Sequence, residues 1–258
     1  MATRTDFARL LDEAQRQGKP VEPLTSLEPG LSVADAYKIQ DELVALRVSR
    51  GEKIVGYKMG LTSKAKMQQM GVSSPIMAIL TDGMERPCGG TVELAGSIHP
   101  KGEPEIAFRL ARDLRGKVSA QEALSACDGG CAAIDLLDSR YRDFKFTLPD
   151  VIADNASCFG FVLGPWHPAP SMDALSGLAM TLSLNGKVVS SGSSEAIYGH
   201  PAESLAALCA LLDESGRFLK RGSVVLAGAA SPAVALKACN RVEVAVESLG
   251  AAVFDVRS

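Results

Sequence analysis

Apolar and polar positions change rhythm near residue 52. Before that point the spacing is helical: Phe7, Leu10, Leu11 and Ala14 recur every three or four residues, which predicts an amphipathic helix capped by Thr5. After a connector at 23–31, Ser32 can cap a second helix that sets Val33, Ala36, Tyr37, Gln40, Leu43 and Val44 along one side, with Gly51 as its stop. From residue 53 the texture is one of short strands and turns. A strand is expected over 53–59, a short helix over 63–70, and a cleanly alternating strand over 103–110. In the last of these, Ile106, Phe108 and Leu110 share one face while Glu103, Glu105 and Ala107 share the other.

Ser119 and Glu122 form a capping box for a helix reaching about Cys127. Residues 132–137 read as a strand, and 151–164 as one or two more. Asn185-Gly186 joins strands at 179–184 and 187–190 in a hairpin. Pro201 opens a helix carrying Leu205, Leu208, Leu211 and Leu212 and closed by Gly216. Strands at 223–227, 241–247 and 251–256 complete the chain. Helices and strands do not alternate one for one, which disfavours a doubly wound parallel sheet. The expected class is α+β: one domain over 1–258, with a helical N-terminal part (1–52) on a β-rich body (53–258).

Composition narrows the partners. The 258 residues are 47% hydrophobic and 22% charged, as in ordinary globular proteins. With 27 basic against 30 acidic residues, no basic tract and 5% aromatics, neither nucleic acid nor an anionic membrane surface is an expected partner. The longest apolar stretch, 224–236, is broken by Gly228, Ser231 and Pro232 and falls short of the ~20 residues of a membrane span. Six cysteines, at 88, 127, 131, 158, 209 and 239, show no zinc-ligand spacing, and Met1–Asp6 has no signal-peptide character. The expectation is a cytoplasmic protein with reduced thiols.

The candidate chemistry is carboxylate and lysine chemistry. There is no G-x-S-x-G, P-loop, H-E-x-x-H or G-x-G-x-x-G motif, and histidines stand only at 99, 167 and 200. On a strand, Glu103 and Glu105 project from one face with Cα atoms roughly 6.5–7 Å apart. Carboxylates that close repel unless a proton or cation lies between them, and a hard divalent ion such as Mg²⁺ prefers oxygen ligands. A solvated strand face is the plainer alternative. Asp135 interrupts an apolar run where a lone carboxylate is costly. It can complete a three-carboxylate site, or pair with Arg140 or Arg142. Lys58, bracketed by Gly56 and Gly60 in an apolar strand, can bind a carboxylate or donate a proton, or reach solvent from an edge. Asp154-Asn155-Ala156-Ser157 suits a polar pocket wall or a turn.

These residues carry a family resemblance. Val55-Gly56-Tyr57-Lys58-Met59-Gly60-Leu61-Thr62-Ser63, Glu103-Pro104-Glu105-Ile106, Asp138-Ser139-Arg140-Tyr141, Ala153-Asp154-Asn155-Ala156-Ser157 and Gly199-His200-Pro201 together resemble the metal-dependent 2-hydroxypentadienoate hydratases and 2-oxo-3-hexenedioate (4-oxalocrotonate) decarboxylases of meta-cleavage aromatic catabolism. The resemblance implies a fumarylacetoacetate hydrolase-like fold of mixed sheets and a Mg²⁺ (or Mn²⁺) site, with no organic cofactor. Glu103 and Glu105 match its first two carboxylates. Asp135 stands where these enzymes usually have glutamate, and relatives in the wider fold use aspartate there. Lys58 matches the active-site lysine, Asp82 a polar active-site position, and Ser157 a substrate-contacting one. Ala65-Lys66-Met67 after the Lys58 run, and Phe144-Lys145-Phe146 after Ser139-Arg140-Tyr141, look more like the decarboxylases. The implied reaction converts 2-oxo-3-hexenedioate, a small anionic 2-oxo acid, to 2-hydroxypenta-2,4-dienoate. Hydration of 2-hydroxypentadienoate is the alternative, and a non-catalytic partner subunit a further one. A homo-oligomer or a complex with the companion hydratase is the implied assembly.

Overall fold

A computed structural model describes residues 3–63, 67–68 and 71–257. Of the helix expected over 63–70, residues 64–66 and 69–70 lie outside the described residues, as does most of Ala65-Lys66-Met67. The first helix, Arg4–Gln17, is capped by Thr3 and not by Thr5. Thr3 Oγ1 accepts the Asp6 N–H at 3.2 Å while the Asp6 carboxylate accepts the Thr3 N–H at 2.8 Å. Only the residue three before an acidic side chain can make both bonds, and that selects Thr3. The helix Val33–Ser49 starts under Ser32 as expected. Phe7, Leu11, Ala36, Ile39 and Leu43 pack with Ile76, Ala78, Tyr141 and Val151 in a second, smaller core that seats the helical part on the body.

The body contains two mixed sheets. In chain order the strands are β1 Ile54–Gly60, β2 Ile76–Thr81, β3 Glu85–Arg86, β4 Thr91–Glu93, β5 Lys101–Leu110, β6 Cys127–Leu137, β7 Cys158–Leu163, β8 His167–Pro168, β9 Ala179–Leu184, β10 Lys187–Ser193, β11 Val224–Ala229, β12 Val234–Ala235, β13 Arg241–Val246 and β14 Gly250–Arg257. The larger sheet runs β2-β1-β11-β5-β6-β7-β3, with β12 beside β5 and β8 beside β6; the smaller runs β10-β9-β13-β14-β4. The hairpin β9–β10 turns at Asn185-Gly186, as the sequence predicts. Residues 151–153 are not strand but the end of a helix, Leu148–Ala153, which Thr147 and Asp150 open with a capping box. The helix Pro201–Glu214 is capped by the His200 ring, which accepts the Ala202 N–H at 3.1 Å. Among the described residues no helix is long and apolar enough to cross a membrane.

The period-2 pattern sorts the larger sheet into two faces. Ile106 and Phe108 of β5 and Ile134 and Leu136 of β6 join Met180, Leu182, Val242, Val244 and Phe254 of the smaller sheet in the main core. The opposite face carries Glu103, Glu105 and Asp135 beside the apolar Ala107, Ala133, Phe161 and Leu226. Every side chain on it must pack or find a partner.

Gly56 fixes how closely β1 approaches its parallel neighbour β11. It pairs with Val224, and a Cβ there would stand 1.8 Å from the Val224 carbonyl oxygen. Gly56→Ala therefore has to push the two strands apart, at an expected cost of about 3 kcal/mol. Urea titration checks this; a midpoint equal to that of the parent would show that the strands can separate freely.

Candidate active site

Strand register assembles the site. On β5 and β6 Glu103 pairs directly with Asp135, so their side chains leave one face side by side. Glu105, two residues along β5, joins them, and one carboxylate oxygen from each of the three lies within 4.8 Å of the others. All three residues are buried. On β1, Lys58 pairs with Leu226 of β11, which brings it to the same face, 2% exposed. Its ammonium donates a short hydrogen bond to Asp135 Oδ2. Among the described residues, Lys58 is thus a cation for Asp135. Arg140 contacts Asp154 at 3.2 Å, and Arg142 contacts Glu22 at 2.6 Å.

Two details complete the frame. β11 departs from regular pairing between Leu226 and Ala229, and Gly228 within that break has φ +118° and a Cβ position 2.3 Å from Thr62 Oγ1. No other residue fits there, and the break aims the Gly228 N–H at Glu105 Oε2, 2.7 Å away. The Cys158 thiol lies 3.9 Å from Asp135 Oδ1, and burial pushes it up to about 11, so it is a weak donor and not a thiolate ligand.

Electrostatically the cluster is incomplete by itself. Burial, and then the Asp135 carboxylate, raise Glu105 well above the ordinary range, and Lys58 and the Gly228 N–H offset this only in part. Burial disfavours the Lys58 ammonium, yet Asp135, Cys158 and Glu105 outweigh it and hold Lys58 above the usual lysine range. Among the described residues, the three carboxylates and the Lys58 ammonium sum to −2 when all are ionised. Buried hard oxygens with that surplus fit a hard divalent cation, which takes oxygen ligands at about 2.1 Å when it is Mg²⁺.

The cluster opens on a cavity of ≈ 460 Å³. Lys58, Glu103, Asp135 and Ser157 line it together with apolar Ile76, Leu137, Phe144, Phe146 and Val151. Sequence reasoning did not single out Lys101, which also lines the cavity with its ammonium 3.6 Å above the Phe144 ring. Its place on β5, two residues before Glu103 and on the same face, was the available signal. Ser157 is 3% exposed, and its Oγ donates to Asp154 Oδ2 at 3.0 Å. Burial lifts Asp154 to about 7 although Arg140 lies against it.

Asp82 is not brought to this cluster. Lys58 pairs with Ala78 on β2 whereas Thr81 pairs with Ile54, so Asp82 follows the far end of the strand. It is exposed, accepts the Lys53 N–H at 2.9 Å and is absent from the cavity wall. Of the expected site residues, Lys58, Glu103, Glu105, Asp135 and Ser157 come together and Asp82 does not.

The chain is 47% identical over 248 residues to a 4-oxalocrotonate decarboxylase of Pseudomonas sp., covering 96% of each protein. It is 39% identical to a 2-hydroxyhexa-2,4-dienoate hydratase of Comamonas testosteroni, covering 93% of this chain and 92% of that one. Its fold matches the 4-oxalocrotonate decarboxylase from Pseudomonas putida G7, complexed with magnesium and adipate, with a TM-score of 0.91, 35% identity and 99% of each chain covered. The model of the family described as fumarylacetoacetate (FAA) hydrolase C-terminal matches residues 62–257, and the chain belongs to that family.

Proposed function

We propose that the protein decarboxylates 2-oxo-3-hexenedioate (4-oxalocrotonate) to 2-hydroxypenta-2,4-dienoate with the help of Mg²⁺ or Mn²⁺. The observation that carries this reading is the buried set Glu103, Glu105 and Asp135, with Lys58 bound to Asp135, beside a largely apolar cavity that Lys58, Glu103 and Asp135 line. The relatives named above support it. Glu103, Glu105 and Asp135 would hold the ion, which supplies Lewis-acid polarisation of a 2-oxo carboxylate.

The substrate is a vinylogous β-keto acid. As CO₂ leaves, the electron pair of the C5–C6 bond moves through the alkene to the 2-oxo oxygen. Lys58 spends one N–H on Asp135 and keeps two for that oxygen, where the negative charge develops. Ile76, Leu137, Phe144, Phe146 and Val151 keep water from the rest of the cavity, and Lys101 draws a dianion towards it. Asp82, remote in one chain, has no assigned step. The 258 residues would act as one unit, alone or in a homo-oligomer or complex with a companion hydratase.

Hydration of 2-hydroxypentadienoate is the second reading, carried by the hydratase relative at 39% identity. Mass analysis of the product formed from fresh 2-oxo-3-hexenedioate, with Mg²⁺ and with chelator, separates the two. Loss of CO₂ only without chelator is expected. An unchanged dioate, together with water added to 2-hydroxypentadienoate, would transfer the assignment to the hydratase.

A further inference from the structure

Between the helix Leu148–Ala153 and β7, three consecutive non-glycine residues adopt left-handed backbone: Asn155 (φ 50°), Ala156 (φ 48°) and Ser157 (φ 56°). Each such residue costs about 1–2 kcal/mol, so the turn exists only because its surroundings impose it. Asn155, 1% exposed, clamps it to β2: its Oδ1 accepts the Ile79 N–H at 2.8 Å and its Nδ2 donates to the Ile79 carbonyl at 2.9 Å. Ser157 is held through its own carbonyl, which accepts the Asp138 N–H at 2.8 Å. Asp154, fully buried, lies against Arg140 through Oδ1 at 3.2 Å and accepts the Ser157 hydroxyl on Oδ2 at 3.0 Å. Arg140 is anchored in turn: it donates to the Asp154 carbonyl at 3.0 Å, the Cys158 carbonyl at 3.2 Å and Gln15 Oε1 at 3.0 Å.

The strained turn ends with Ala156 and Ser157 on the cavity wall. The single proton of the Ser157 hydroxyl is committed to Asp154, so only lone pairs are left for the cavity. We infer that Asp154 is a positioning residue that turns Ser157 into a hydrogen-bond acceptor, and that Ser157 thereby reads a donor at C2 of the bound molecule. The inference rests on the substrate class proposed above. There it has a definite meaning: the 2-oxo acid carries no proton at its C2 oxygen, and the 2-hydroxydienoate formed from it does. Ser157 favours the enol side of the reaction.

The test compares the affinities of 2-hydroxyadipate, which has a donor at C2, and 2-oxoadipate, which has none. Calorimetry at pH 8 with Mg²⁺ is run on the full chain, on Ser157→Ala and on Asp154→Asn. In Ser157→Ala the hydroxy acid is expected to lose a factor of about 3–10 relative to the oxo acid, the size of one neutral hydrogen bond. In Asp154→Asn, the charge of the Arg140 guanidinium, 3.2 Å from Oδ1, keeps the amide oxygen on its side and outweighs the long 3.4 Å contact of the Arg140 N–H with Oδ2, so that the amide N–H₂ faces Ser157. The freed hydroxyl proton then points into the cavity, and the preference moves to the oxo acid beyond its level in Ser157→Ala. A purely structural role would not invert selectivity in this way. Equal losses for both probes in Ser157→Ala overturn the inference alone, and that variant decides the case if Asp154→Asn does not fold. Failure of both probes to bind the parent protein overturns the substrate class and the inference with it.

Discussion

Glu105→Gln is expected to abolish the magnesium response of this protein while leaving it folded. Glutamine has nearly the volume of glutamate and still offers an oxygen to the Gly228 N–H, so the strand break between Leu226 and Ala229 keeps its bond. What is lost is one of three buried negative charges. With the ion gone, Lewis-acid assistance worth several kcal/mol goes too, and turnover should fall on the order of 10³-fold. Stability gives an independent reading. Mg²⁺ at 100 times its Kd should raise the stability of the parent by about 2.7 kcal/mol and that of Glu105→Gln by almost nothing. Without metal the order reverses, because the variant no longer holds three mutually repelling carboxylates. Urea titrations with Mg²⁺ and with chelator, alongside a turnover assay, measure both. A variant that Mg²⁺ stabilises as strongly as the parent would remove Glu105 from the metal site.

Much of this site is legible from the chain because β-structure has period two. Glu103 and Glu105 had to share a face once 101–110 was a strand, and the apolar run around Asp135 marked that carboxylate as one in need of a partner. The partner itself was not legible. Arg140 and Arg142 are the nearest cations in sequence, yet Lys58 is supplied from 77 residues away, by the order β1-β11-β5-β6. That Asp82 lies apart from the cluster within one chain was not legible for the same reason: its distance from Lys58 depends on the antiparallel register of β1 and β2, which no local pattern encodes. The helix Leu148–Ala153 was missed for a different one. Its apolar residues are too few to show a period, and the signal present, Thr147 with Asp150 three residues on and Pro149 between, is a capping box at the start of a very short helix.

Lys58→Met should act in the opposite sense on metal binding. Methionine replaces the buried stem but removes the ammonium, which leaves Asp135 facing Glu103 and Glu105 with no fixed cation from β1. Breaking a buried pair by deleting one partner costs about 3–5 kcal/mol, and this loss should appear in full in the presence of chelator. Mg²⁺ should then recover much of it, because the ion no longer shares Asp135 with the Lys58 ammonium. The expected result is tighter Mg²⁺ binding than in the parent, measured by calorimetry, in a protein that is nevertheless a poor catalyst. Loss of the N–H donors at the developing oxyanion should lower kcat by about 10²–10³-fold. That combination separates the two roles Lys58 can have. If it only neutralised the cluster, the magnesium-loaded variant would turn over normally, because the ion would have taken its place. Turnover within tenfold of the parent at saturating Mg²⁺ would therefore reduce Lys58 to a counter-ion. A deep loss of kcat beside strengthened metal binding would identify it as the group that holds the substrate oxygen.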